Sequence, residues 1–331
     1  MKIYINYKYT NEPWGGANSF IRTLSLGLSN FSDVVLVDSL DRGVDILLMN
    51  QLHSGPLGDT NLNTFNKVKK FLIDSKDSAG GKVCKLVVRA VNLKVHSGIH
   101  SKNPKNILRS LWQDIQVIML ANIADYVIFQ SEYQRNIFKK FGYNGYKNRI
   151  IFNGASSEYS HVPASSRVIG DRLTLVSVTA SPRSQKRHDL IARVSLDPRV
   201  DVLHFGRWPD KVKPLNVKLM GVQGRDAMIK AFKDAHYLIF PAEKEPCSNA
   251  VCEALSCGLP VIYNPAPGGC SELVLGNGFG LNVADIKESI DKAFSDYAGY
   301  VAKLKEKRDF YTSERAVSDY YNVFKEVCCE N

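Results

Sequence analysis

The sequence predicts an α/β protein of two doubly wound halves, and three observations carry that prediction. Short apolar runs alternate with amphipathic stretches along nearly the whole chain, the βαβ rhythm of parallel sheets covered by helices. The rhythm breaks once, over residues 153–171, where Ser, Gly, Pro and Ala accumulate without a periodic apolar face, as in an interdomain connection. The length of 331 residues, 44% hydrophobic and 23% charged, suits two soluble domains.

In the first half, strands are expected at 3–7, 34–37, 44–49, 85–89, 126–130 and 149–152, with helices at 19–28, 107–124 and 133–141. The second half gives strands at 173–178, 202–205, 237–240 and 261–263. Its helices fall near 189–195, 225–235, 249–257, 286–294 and 313–327. Open parallel sheets bind ligands beyond the carboxyl ends of their strands, so two such edges facing one another would enclose an interdomain cleft.

Composition removes several classes of function. No apolar run approaches eighteen residues, and Met1 to Ile5 lead straight into a strand-like segment without a signal-peptide core, so neither a membrane span nor signal-directed secretion is expected. Seven cysteines without a C-x-x-C pair fit reduced thiols in a cytoplasm. The net charge of +10 is uneven: through Ser160 there are 20 Lys and Arg against 12 Asp and Glu. Between Lys67 and Arg109, eleven basic residues face only Asp74 and Asp77. Such a field attracts phosphates, acidic glycans, anionic lipid headgroups or nucleic acid; a solvated basic surface without a dedicated partner is the alternative.

The most informative segment runs from Glu245 to Ile262 and reads E-P-C-S-N-A-V-C-E-A-L-S-C-G-L-P-V-I. It follows an apolar strand. Ser248 or Asn249 can cap a helix, Gly258 suits its C-terminal exit and Pro260 stops it. The N–H groups at that helix start form a site for a phosphate or sugar hydroxyl. Glu245 on the loop and Glu253 a turn inside the helix can flank one polyhydroxyl ligand.

The whole phrase resembles the E-x7-E motif of retaining glycosyltransferases of the GT-B fold, family 4 in particular. Further likenesses are the Pro13 to Asn18 loop after the first strand, the Ala124 to Tyr133 strand and helix, and the Asn153-Gly154 hinge entry. The resemblance implies two Rossmann-like domains facing across a cleft: an acceptor-binding domain at 1–155, a linker at 156–171, a nucleotide-sugar domain at 172–310, and a C-terminal helix at 311–331 packing back toward the N-terminal domain. It also implies roles. Glu253 would bond the ribose hydroxyls and Glu245 would face the donor sugar. The backbone of Ser248, Asn249 and Ala250 would cradle sugar and phosphate, with Val222 along the base and Gly269 and Gly16 approaching the donor. Arg183 and Lys186 would neutralise the diphosphate, although the family's R-x4-K spacing is not met because Ser181 stands five before Lys186.

The implied function is metal-independent, retaining transfer of a sugar from a nucleotide-diphospho-sugar to a glycan or lipid-linked acceptor, in polysaccharide biosynthesis. No cofactor and no nucleic acid are expected, and the place is the cytoplasm or the inner membrane face. A nucleotide-sugar epimerase of the same fold and a non-catalytic glycan- or nucleic-acid-binding protein are the alternatives. The Asp of the relatives' Arg-x-Asp-Gly segment is missing after Arg89, where Asn92 stands nearby, and His53, His96 and His100 receive no assigned role. No Asp-x-Asp, G-x-G-x-x-G, Walker or G-x-S-x-G sequence occurs. Cys247, Cys252 and Cys257, five apart, cannot share a helix face for zinc and read as buried small side chains.

Overall fold

The computed structural model describes residues 1–9, 16–41, 43–50, 64–75, 84–98, 103–160 and 168–329. The chain divides into two compact units, one of Met1–Glu12, Gly16–Phe152 and Ala316–Asn331, the other of Pro13–Gly15 and Asn153–Arg315.

The first unit runs β1 (Lys2–Ile5), α1 (Gly16–Leu28), β2 (Val35–Val37), β3 (Ile46–Met49), α2 (Phe65–Asp74), β4 (Lys85–Arg89), α3 (Lys94–Ser97), α4 (Pro104–Ile123), β5 (Tyr126–Phe129), α5 (Glu132–Lys140) and β6 (Asn148–Ile150). Its six strands are parallel in the order β2-β1-β3-β4-β5-β6. Every residue of β3 and β5 is buried, as expected of inner parallel strands covered on both faces. Helix starts follow capping chemistry: Asn103 accepts from the Lys105 N–H at 2.9 Å with Pro104 at the first helical position, and Ser131 accepts from the Gln134 N–H at 3.2 Å. Helix α2 lies in the basic stretch, where charge masks the helical spacing of Phe65, Val68 and Leu72.

The second unit runs α6 (Ser157–Ser160), β7 (Leu173–Thr179), a 3-10 turn (Ser184–Lys186), α7 (His188–Val194), β8 (Val200–Gly206), β9 (Val217–Gly221), α8 (Arg225–Asp234), β10 (Tyr237–Phe240), α9 (Asn249–Ser256), β11 (Val261–Tyr263), α10 (Cys270–Val274), β12 (Gly278–Gly280) and α11 (Ile286–Lys307). All six strands are parallel, ordered β12-β11-β10-β7-β8-β9. Counted within the unit this is the Rossmann order 3-2-1-4-5-6, whose direction reverses between β7 and β10. The chain ends in α12 (Ser313–Cys329), whose Val317, Tyr320, Val323, Phe324 and Val327 lie in the core of the first unit with Phe20, Ile21 and Leu24 of α1.

Several boundaries differ from expectation. The division falls at Phe152/Asn153, and the expected linker over 156–171 supplies a helical turn, α6, to the second unit. The reason is packing: Tyr159 is buried beside Phe232, and Glu158 pairs with Arg225. Strand β12 was hidden by its composition, Gly-Phe-Gly. Glycine is needed there, since a Cβ on Gly278 would stand 1.9 Å from the Val261 carbonyl oxygen.

Gly206, at the end of β8, has φ +120°, and a Cβ there would lie 1.8 Å from the Thr179 carbonyl oxygen. Gly206→Ala therefore combines a disfavoured backbone with a clash at the end of β7 and should destabilise by about 2–4 kcal/mol. Chemical denaturation of the variant reads this directly, and an unchanged midpoint would contradict the packing described.

Candidate functional site

The order of the second sheet fixes where a site can form. Strands β7 and β10 are hydrogen-bonded neighbours, with Leu175 opposite Tyr237 and Val176 opposite Leu238, yet the chain leaves them in opposite directions across the sheet. The loops at their carboxyl ends, 180–187 and 241–248, frame the crevice where such sheets take ligands. These loops are stitched together: the Glu243 N–H donates to the Gln185 carbonyl at 2.8 Å, the Lys244 N–H to Pro267 at 2.8 Å, and the Gly269 N–H to Glu245 at 2.8 Å. Lys244 takes the left-handed conformation, φ 57°, between two glutamates.

On this frame the Lys186 ammonium donates to Glu245 Oε2 at 2.5 Å, bridging 59 positions of sequence, and stands 5.7 Å from the Phe240 ring centre. Each was expected to face a ligand. Here each meets the other, a half-buried ion pair at the strand edge. Arg183 is exposed and makes no ion pair among the described residues. Its neighbour Arg187, to which the sequence assigned no role, is left-handed (φ 50°, ψ 48°) and its guanidinium holds Glu243 and the Asp189 carboxylate, the latter at 2.8 and 2.9 Å. Arg187 thus ties the two loops together.

Helix α9 begins at this edge. Ser248 is its N-cap with extended backbone and no side-chain cap bond, so its first turn carries the positive end of the helix dipole without a side-chain oxygen over it. Asn249 turns its Oδ1 to accept from Asn153 Nδ2 at 2.9 Å, while the Asn153 N–H meets Cys247 Sγ at 3.3 Å and Cys252 Sγ donates to the Asn153 carbonyl at 3.2 Å. The Asn-Gly hinge entry is therefore anchored to α9. Ala250 is half-buried in the same turn. Cys247, Cys252 and Cys257 are buried free thiols, in keeping with the sequence, and no His, Cys, Asp or Glu cluster suited to a metal occurs among the described residues.

Glu253, a turn further in, is half-buried and accepts no hydrogen bond from the described residues. Burial pushes its carboxyl up to about 7, opposed only in part by the Arg225 charge. The ring of Tyr159 and the Arg225–Glu158 pair flank it. Sequence reasoning missed these three neighbours because they lie on α6 and α8, far away in sequence.

Of the other expected residues, Gly269 belongs to the same frame as Glu245. Gly269 is the N-cap of α10, its N–H already taken by Glu245, and Val222 is exposed just after β9. Gly16 opens α1 in the first unit. Pro13, Trp14, Gly15, His53 and His100 lie outside the described residues. His96, on α3, bonds the Tyr133 hydroxyl, which burial pushes up to about 12. At the strand ends of the first unit Arg89 is buried, donating to Asn50 Oδ1 at 2.7 Å and Gln130 Oε1 at 2.8 Å, 4.1 Å above the Phe20 ring.

Many solved structures are similar to the chain, three of them as follows. Sucrose-phosphate synthase (tll1590) from Thermosynechococcus elongatus superposes with TM-score 0.69 at 14% identity, covering 100% of this chain and 99% of the other. WaaG, a glycosyltransferase involved in lipopolysaccharide biosynthesis, gives 0.65 at 15% over 98% and 99%. Anabaena Alr3699/HepE, in complex with UDP and glucose, gives 0.65 at 14% over 98% and 100%. The chain has the GT-B fold. Residues 172–296 match the family model described as Glycosyl transferases group 1, a stretch that contains Lys186, Glu245 and Glu253. No curated protein sequence matches the chain.

The raised Glu253 pKa sets a sign for stability. Folding holds its proton more tightly, so the penalty is absent below the ordinary value of 4.5, grows as pH rises toward 7 and is constant above. Glu253→Gln should therefore stabilise the ligand-free protein by on the order of 3 kcal/mol at pH 8 and by about 1 kcal/mol at pH 5. Denaturation at the two pH values checks it; a gain independent of pH would place the carboxyl in water.

Proposed function

We propose that the protein is a metal-independent, retaining glycosyltransferase that moves a sugar from a nucleotide-diphospho-sugar to a glycan or lipid-linked acceptor. The observation that carries this reading is Glu253: a half-buried carboxylate that accepts no hydrogen bond from the described residues, one turn inside a helix whose N-terminus lacks a side-chain cap. It suits paired hydroxyls, and a ribose supplies two on adjacent carbons. The uncapped turn at Ser248, Asn249 and Ala250 suits phosphate. Relatives in fold hold such ligands, HepE having been solved with UDP-glucose.

In this mechanism the donor enters between Lys186 and Glu245 and exchanges their mutual contact for its own. The ammonium moves to the diphosphate and the carboxylate to sugar hydroxyls. As the anomeric C–O bond breaks, its electron pair passes to the departing phosphate oxygen beside Lys186, with Arg183 free to approach from solvent. The acceptor hydroxyl bonds to the anomeric carbon from the same face and yields its proton to that phosphate. Catalysis is positional and electrostatic, since the charge that grows in the transition state meets a cation already in place.

Glu253→Ala should weaken nucleoside-diphosphate binding by about 1.5–3 kcal/mol, measured by calorimetry. Unchanged affinity would sink the assignment. Lys186→Ala should lower kcat by about 100-fold while changing donor affinity far less; equal losses in both would count against leaving-group stabilisation. Turnover should persist in EDTA, and a complete loss reversed by added metal would overturn the metal-independent reading.

A further inference from the structure

Helix α4 turns its apolar side outward. Leu108, Trp112, Ile115, Met119 and Ile123 are 67, 57, 49, 45 and 46% exposed. At about 100° per residue they fall within an arc of roughly 80°, along about 22 Å of helix. The opposite side is also occupied, by Val117, Ile118, Leu120 and Ala121 in the core of the first unit. One polar group of α4 is turned inward: Asp114 is buried and accepts from the N–H groups of Lys94 at 2.9 Å and Val95 at 2.7 Å. No other acidic residue occurs in the helix. Lys105 and Arg109 are exposed at its N-terminal end, within or beside the apolar arc by the same angular count.

We propose that this face of α4 docks on an anionic lipid surface. Five large side chains in one ridge exceed the scattered apolar exposure of an ordinary surface. A ridge of Leu, Ile, Met and Trp flanked by cations is the pattern of helices that lie in the headgroup boundary. The charge selects this occupant over a second copy of the chain, because the half that carries the ridge has 20 basic against 12 acidic residues and repels itself. At the other end, Asn122 donates to the Gly142 carbonyl at 2.9 Å and accepts from the Asn144 N–H at 3.0 Å. These bonds fix beside the ridge a loop whose Phe141 and Tyr146 are also exposed. No helix among the described residues is long and apolar enough to cross a membrane. The inference stands on α4 alone and is independent of the donor site.

The test is co-sedimentation of the full chain with vesicles of phosphatidylcholine containing 30% phosphatidylglycerol, and with phosphatidylcholine alone, at low and high salt. The parent should bind the anionic vesicles at least tenfold more strongly, less so as salt rises. Leu108→Ser/Trp112→Ser/Ile115→Ser should lose at least tenfold, and Lys105→Glu/Arg109→Glu should lose binding at low salt. Thermal unfolding and nucleoside-diphosphate affinity confirm that each variant is folded. Equal sedimentation of the triple variant and the parent, or no binding by the parent at low salt, would overturn the proposal. So would a dimer in solution that the same three substitutions dissolve, which would assign the ridge to a second copy.

Discussion

The adjacency of β7 and β10 is the constraint on which the rest of the second unit depends. Parallel pairing puts their carboxyl ends side by side, and the reversal of strand order sends the following helices apart, opening room between the two loops. Lys186 and Glu245 meet for that reason alone. The backbone bond from the Glu243 N–H to Gln185 and the Arg187–Glu243 pair also join the two loops, so the ion pair is not their only link. Removing a side chain at the edge leaves the frame standing, which is the arrangement a site built for binding requires.

Charge in this region is distributed in two ways. Lys186 and Glu245 neutralise one another in the open part of the crevice, where exchanging one polar partner for another changes little energy. Glu253 is the contrary case: its ionisation is opposed by burial and helped only by Arg225. A ligand that brings hydroxyl donors would remove that opposition. Stability given up by the empty protein would then return as affinity, an exchange often found where burial raises the pKa of a functional carboxylate.

Much of this was legible in the sequence, and what was not has physical causes. Strand β4 is legible to the residue, because Lys85 to Arg89 form an apolar run with polar ends, and α4 to within three residues from its periodicity. Strand β9, with consecutive Lys218 and Leu219 both exposed, is an edge whose pattern is too weak to separate from a loop. The E-x7-E phrase points to a candidate site because its strand, loop and helix are contiguous. The surroundings of Glu253 were invisible, since Tyr159, Glu158 and Arg225 come together only through folding. The basic field from Lys67 to Arg109 was read as charge alone; the outward turn of α4's apolar ridge depends on Asp114 being drawn inward by the N-terminus of α3, which periodicity does not reveal.

The central claim is that Glu253 bonds the ribose hydroxyls of a nucleotide. The most direct measurement compares, by calorimetry on the parent and on Glu253→Ala, whichever nucleoside diphosphate raises the Tm most with its 2′,3′-dideoxy analogue. The parent should favour the ribose form by tenfold or more, and the variant should bind both forms alike. An equal preference for the ribose form in parent and variant would contradict the account, because the hydroxyls would then be recognised elsewhere.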